Sequence, residues 1–162
     1  MNEKLMLISK IEQGVVIDHI PAGLGAEILQ IARFHAELAD IPITFGMNLQ
    51  SRKLGKKDII KIQMDEPPKG FFRHLSLIAP GVTIKSIRNF KVQKKIVVEP
   101  PEVIDNLLKC LNPGCITNHE RHLGTCFHRI EGNPPIFVCN YCERHFELRD
   151  LEPIQQKLLV KI

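Results

Sequence analysis

Five cysteines are the most reactive side chains of this 162-residue chain, and four of them fall into two close pairs. Four residues separate Cys110 from Cys115, two separate Cys139 from Cys142, and 23 residues lie between the pairs. A close thiol pair can be a redox couple, a nucleophile, or half of a metal cage. Two pairs joined by a loop fit the cage. Each pair turns on a knuckle, and four thiolates close a tetrahedron about 2.3 Å from a zinc ion. Asn112-Pro113-Gly114 supplies turn chemistry in the first knuckle, and Asn140-Tyr141 sits in the second. A redox pair belongs near the start of a strand-helix-strand unit, a setting that Cys139 and Cys142 lack. Cys110, Cys115, Cys139 and Cys142 are therefore the expected ligands of one structural Zn2+. A closed four-sulfur site leaves no position for water or substrate, so its role is folding, worth on the order of 10–16 kcal/mol. Cys126 is spare and expected as a buried small hydrophobe on a strand Thr125–Ile130. His119, His122, His128 and His145 are expected at the surface or against a partner.

A second constellation is cationic. Side chains alternate along a strand, so Lys57, Ile59 and Lys61 share one face, with Ile60 and Ile62 on the other. Lys85 on a later strand, with Lys91, Lys94 and Lys95 beyond it, extends the patch, and Asp18 and His19 end the first strand. Ammonium groups gathered round one carboxylate suit a nucleoside triphosphate, with lysines on phosphate and the carboxylate on ribose hydroxyls. The plainer alternative is a solvated polar face. No phosphate-loop motif or dinucleotide fingerprint is present. Asp18 and His19, as strand neighbours, should point apart and make a poor catalytic dyad. No Ser-His-Asp or paired-carboxylate arrangement stands out.

The elements that must hold these groups are legible in the periodicity. Val15–Ile20, Ile43–Leu49, Lys57–Ile62, Val82–Ile87 and Lys91–Val98 read as strands. Pro21 is placed to open a helix that carries Leu24, Ile28, Ile31, His35 and Leu38 on one face and stops before Ile41-Pro42. Phe71–Ala79 reads as a second helix, ended by Pro80-Gly81. The expected class is α+β: a ferredoxin-like antiparallel sheet with two helices on one face, plus a small C-terminal zinc-bound antiparallel β domain. Glu99-Pro100-Pro101-Glu102 is a linker by composition, which gives expected domains at 1–100 and 101–152 and a tail at 153–162. The second is too small for a large core and needs a staple.

With 44% hydrophobic and 25% charged residues the composition is globular, which excludes wholesale disorder. No segment is long enough for a membrane span, and the N-terminus has no cleavage-site pattern, so a cytoplasmic location is expected. A net charge of +4 permits anionic ligands without demanding them.

The segments VVIDHIPAGLGAEIL, NLQSRKLGKKDIIKI and APGVTIKSIRNFKV, followed by the four cysteines, resemble the regulatory chain of aspartate carbamoyltransferase. The resemblance runs from about Ile8 to about Phe146. It implies a non-catalytic chain of pyrimidine biosynthesis, whose N-terminal domain binds nucleotide effectors (CTP, ATP, with UTP a further candidate). It implies a zinc domain docked on the catalytic chain, and regulatory homodimers that link catalytic trimers into a dodecamer. Carried over by position, the effector site comprises Ile11, Asp18, His19, Lys57, Lys61, Ile87, Phe90, Val92 and Lys95. Ser9, Lys85 and Phe90 depart from the family's usual residues. The competing class is a nucleic-acid-binding zinc ribbon. It lacks the aromatic interleaving expected for base stacking, because Phe127, Phe137, Tyr141 and Phe146 suit a small core better. An enzyme using Cys126 as nucleophile ranks last, for want of a base.

Overall fold

The computed structural model describes residues 8–33, 35–132 and 134–151. The chain divides into two compact units, Met1–Glu99 and Pro100–Ile162.

In the first unit, β1 (Gly14–Pro21) is followed by α1 (Leu24–Arg33), β2 (Ile43–Ser51), β3 (Gly55–Ile62), α2 (Lys69–Ile78), β4 (Thr83–Arg88) and β5 (Lys91–Val97). The strands form one antiparallel sheet in the order β2-β3-β1-β4-β5. This is the expected ferredoxin-like arrangement with β5 added at the edge. Alternation divides the sheet into two faces. Val15, Ile17, Ile60, Ile62 and Ile84 join Ile28 and Ala32 of α1 and Phe71 and Leu75 of α2 in the core. Full burial of each large aliphatic contributes about 1.5–3 kcal/mol, so both helices are held on this face by packing.

Two details of the first helix differ from expectation. Pro21 closes β1 instead of opening the helix, and α1 ends at Arg33, with a separate 3-10 turn at Ala36–Leu38. The start is set from across the sheet. The fully buried Asp58 carboxylate on β3 accepts the N–H groups of Gly23 (2.8 Å) and Gly25 (3.1 Å). A carboxylate there satisfies unpaired helix donors and meets the positive end of the helix dipole. Gly25 has to be glycine, since a Cβ would lie 2.5 Å from the Phe45 ring and 2.9 Å from the Asp58 side chain.

In the second unit, β6 (Val103–Asp105), β7 (Cys126–Ile130), β8 (Ile136–Cys139) and β9 (His145–Glu147) form an antiparallel sheet in sequence order. Its fully buried apolar side chains include Ile104, Leu108, Phe127 and Phe137. Phe146 stands edge-on to Phe127 at 6.2 Å. The apolar tail residues Leu158, Leu159, Val160 and Ile162 lie outside the described residues.

Candidate functional site

The sheet face of the first unit opposite its helices carries the cationic residues. Strand register lines up Lys61, Val16, Lys85 and Lys95 across β3, β1, β4 and β5, so all four lie on this face. Ile11, Val16 and Ile87 form a small buried apolar strip here, with Ile59 packed against it.

A bulge shapes the upper end of the face. Ile17 pairs with Ile60 and Ile20 with Asp58, so β1 carries one residue more than β3 between these pairs. His19 takes up the extra length with a left-handed φ of +59°. The simple divergence of Asp18 and His19 expected of strand neighbours is therefore lost: His19 Nδ1 lies 3.6 Å from Asp18 Oδ2. β2 is bulged opposite the same part of β3, and there the N–H of Asn48 (φ +55°) donates to Asp58 at 2.9 Å.

Asp18 is 5% exposed, and three donors converge on it. Lys57 Nζ donates to Oδ1 at 2.5 Å, Lys85 Nζ to Oδ2 at 2.6 Å, and the His19 N–H to Oδ1 at 2.7 Å. Burial pushes the carboxyl upward. The two lysines and the His19 amide outweigh it and hold the group far below the usual carboxylate range. Burial lowers His19, and nearby Lys57, Lys85 and Lys53 add to this against the pull of Asp18. The imidazole is therefore neutral at pH 7, and its buried Nδ1 has no hydrogen-bond partner. Lys61 is buried, donates to the Ser9 carbonyl at 2.6 Å, and is lowered by burial against the pull of Asp18.

The other resemblance-derived positions spread toward the β4–β5 end. Ile87 pairs with Val92, and Lys85 with Lys95. Asn89 and Phe90 make the hairpin turn with φ of +51° and +60°, and the Phe90 N–H donates to the Glu12 carbonyl at 3.0 Å. Phe90 and Ile11 line a cleft of about 590 Å³ with Lys10, Glu12, Gln13, Gln63 and Asp65. Lys57, Lys85, Asp18 and His19 thus form one contact cluster, while Ile11 and Phe90 belong to the adjoining cleft.

In the second unit, the four paired cysteines bring their sulfurs within 4.8 Å of one another. Cys110 Sγ is 3.6 Å from Cys142 Sγ, and Cys115 Sγ is 3.8 Å from Cys139 Sγ. A tetrahedron with bonds of about 2.3 Å has edges of about 3.8 Å, so this set fits a metal ion. Burial raises the thiols of Cys110 and Cys139. At Cys142 burial is overcome by hydrogen bonds from Asn112, the Arg144 backbone and the neighbouring sulfurs, which lower the thiol to about 7. A bound cation therefore has to displace the protons of Cys110 and Cys139. Asn118 ties the first knuckle together, donating to the carbonyls of Cys110 and Asn112 at 2.8 Å each. Cys126 is half-buried instead of buried, accepts from Asn140 Nδ2 at 2.9 Å, and is pushed up to about 11 by burial and by Asp105. His119, His122, His128 and His145 are all exposed.

Sequence reasoning missed Asp58 and Asn118. Asp58 carried a signal, since alternation puts it with Ile60 and Ile62 on the core face, where a carboxylate needs donors.

Comparison with protein families decides the kinship. Residues 6–99 match the allosteric domain of the aspartate carbamoyltransferase regulatory chain, and residues 102–158 match its metal-binding domain. The chain belongs to the aspartate carbamoyltransferase regulatory chain family. Relatives bearing that name include one from Pyrobaculum arsenaticum, 44% identical over 149 residues that cover 91% of this chain and 98% of the relative. One from Pyrococcus horikoshii is 42% identical over 144 residues, covering 89% and 94%. A third, from Korarchaeum cryptofilum, is 41% identical over 152 residues, covering 93% and 96%. An aspartate carbamoyltransferase regulatory chain is the non-catalytic partner of that enzyme's catalytic chain, and its place is in pyrimidine biosynthesis. The matched allosteric domain holds the lysine face and the matched metal-binding domain holds the four cysteines. No helix among the described residues is long and apolar enough to cross a membrane.

Proposed function

We propose that the lysine face is the effector site for nucleoside triphosphates, and that the four cysteines hold one structural Zn2+ in a domain that docks the catalytic chain. The observation that carries the first part is the arrangement around Asp18. Lys57, Lys61, Lys85 and Lys95 lie on one sheet face with one buried carboxylate among them, and no described helix of the unit covers it. Four ammonium groups against one carboxylate leave an excess of positive charge suited to a triphosphate. The apolar strip of Ile11, Val16 and Ile87 offers a seat for the nucleoside, and the cleft beside Ile11 and Phe90 offers backbone groups to a base. Val92, opposite Ile87, extends the apolar border. His19, beside Asp18 and only partly buried, can offer the exposed edge of its imidazole beside them.

Zinc is favoured because four thiolates in a tetrahedron suit it over harder cations. Leu111, Ile116 and Tyr141, each next to a cysteine of the cluster, are 40–49% exposed. A metal that fixes both knuckles holds this apolar trio rigidly for a partner, which supports docking on the catalytic chain. The homodimer has a candidate seam at β2, the sheet edge, beside the groove lined by Leu29, Ile41, Ile43 and Phe45. An effector bound far from the catalytic chain acts only by differential affinity for two states of the assembly, a coupling of roughly 1–3 kcal/mol. CTP would favour a low-activity form and ATP a high-activity form, in a cytoplasmic complex.

Lys61→Ala tests the effector site. Nucleotide affinity should fall about tenfold or more, from the loss of a charge-assisted donor, with zinc content unchanged. Unchanged affinity removes Lys61 from the site.

A further inference from the structure

Away from the lysine face, the first unit gathers titratable side chains at the junction of its two helices. His35 follows α1 and leads the 3-10 turn Ala36–Leu38, whose Leu38 belongs to the core. The half-buried His35 ring lies on α2. It stands at 89° to the fully buried Phe71 with centroids 5.9 Å apart, and 5.8 Å from His74 at a tilt of 55°. Gly70 leaves the ring its room, since a Cβ there would lie 3.2 Å from His35 Cε1. These surroundings suit an uncharged imidazole. Burial first, and then His74, hold His35 below the ordinary histidine value against the pull of Glu37. The first turn of α2 beside it has no acidic residue and no side-chain cap to offset the positive end of the helix dipole. The other charged side chains of the two helices are Arg33, Lys69 and Arg73, all cationic, and Glu27, at the end of α1 far from His35.

We propose that His35 is an acid-sensitive latch: neutral, it fastens residues 35–42 to α2, and protonated, it releases them. Leu38, Ala39 and Ile41 of that segment line the groove beside the β2 edge. Release therefore loosens one wall of the homodimer seam, a step that rests on the seam reading above. The fold favours the neutral ring, so the latch's contribution is complete above the unfolded value of about 6.5 and is lost as pH falls below it.

Imidazole proton NMR and amide hydrogen exchange on the full-length, zinc-loaded chain test this between about pH 7.5 and about pH 5.5, the range in which histidines change charge. His35 should titrate below about 6.5. The N–H groups of Leu38, Ala39 and Ile41 bond to the carbonyls of His35, Ala36 and Leu38. Their protection should fall by up to about tenfold per pH unit, the effect of one proton. His35→Gln, neutral throughout, should abolish that loss. His74→Gln keeps the latch and removes its imidazole neighbour, so it should move the His35 titration upward. That variant decides if His35→Gln does not fold. Sedimentation at the two ends of the range reads the seam: the wild-type dimer should weaken in acid, and the His35→Gln dimer should not. A His35 titration at or above the ordinary value, or equal loss of protection in the wild-type chain and His35→Gln, overturns the latch. A wild-type dimer equally tight at both ends overturns its link to the groove. A monomer at both ends overturns the seam reading while the latch stands.

Discussion

The two units solve the same problem by different means. The first closes a five-stranded sheet under two helices, and its core draws on β1, β3, β4 and both helices, with Ile43 and Phe45 of β2 packed on its margin and β5 exposed throughout. Among the described residues, the second has strands of three to five residues and few fully buried apolar side chains apart from its cysteines. Burial can hold a sheet of the first size, whereas a unit of the second size depends on a staple. The first unit is in turn free to bury charge at Asp18 and Asp58. The second concentrates its polar chemistry in four sulfurs.

The sharpest way to break this contrast is to remove the metal. A chelator, or Cys139→Ser, should unfold residues 101–151 and leave the first unit folded, since metal binding of about 10–16 kcal/mol is the second unit's folding energy. Amide spectra would check it: collapsed dispersion for the second unit alone is expected, and a sharp metal-free spectrum contradicts it. Next in size is Asp58→Ala. It strands the buried N–H of Gly25 and removes the acceptor of the part-buried N–H groups of Gly23 and Asn48, and should cost the first unit about 3 kcal/mol in urea unfolding, with zinc content intact.

A smaller effect is expected from acid. The folded Asp18 carboxyl lies below its unfolded value. Its contribution is therefore complete above an unfolded value of about 4 and is lost as pH falls below that. The first unit should lose urea stability as pH drops from about 5 toward 3, and Asp18→Asn should flatten that limb. The smallest effect is expected at Cys126→Ala, which removes one hydrogen bond from Asn140 and should change stability by about 1 kcal/mol at most, with the metal-to-protein ratio unchanged. A lost metal ion would bring Cys126 into the cage and revise the four-ligand assignment.

Legibility in the sequence followed the range of the forces involved. Strand alternation and helical spacing are local, so KDIIKI and FFRHLSLIA announced their faces, and two cysteine pairs announced a cage. Pro21 misled because the start of α1 is set by Asp58, more than thirty residues away in sequence (33 for Gly25, 35 for Gly23). Regular alternation likewise gave Asp18 and His19 opposite directions, and the bulge that brings His19 Nδ1 near the carboxylate exists only through pairing with β3. The lysine patch was visible, but the two-lysine clasp on one buried carboxylate needed the order of β3, β1 and β4 to be known.

The most direct test of the account is amide chemical-shift mapping of a nucleoside triphosphate on the full-length, zinc-loaded chain. The account predicts saturable changes centred on residues 11–19, 57–61 and 85–95. Changes centred on residues 101–151, or none at saturating nucleotide, would contradict it.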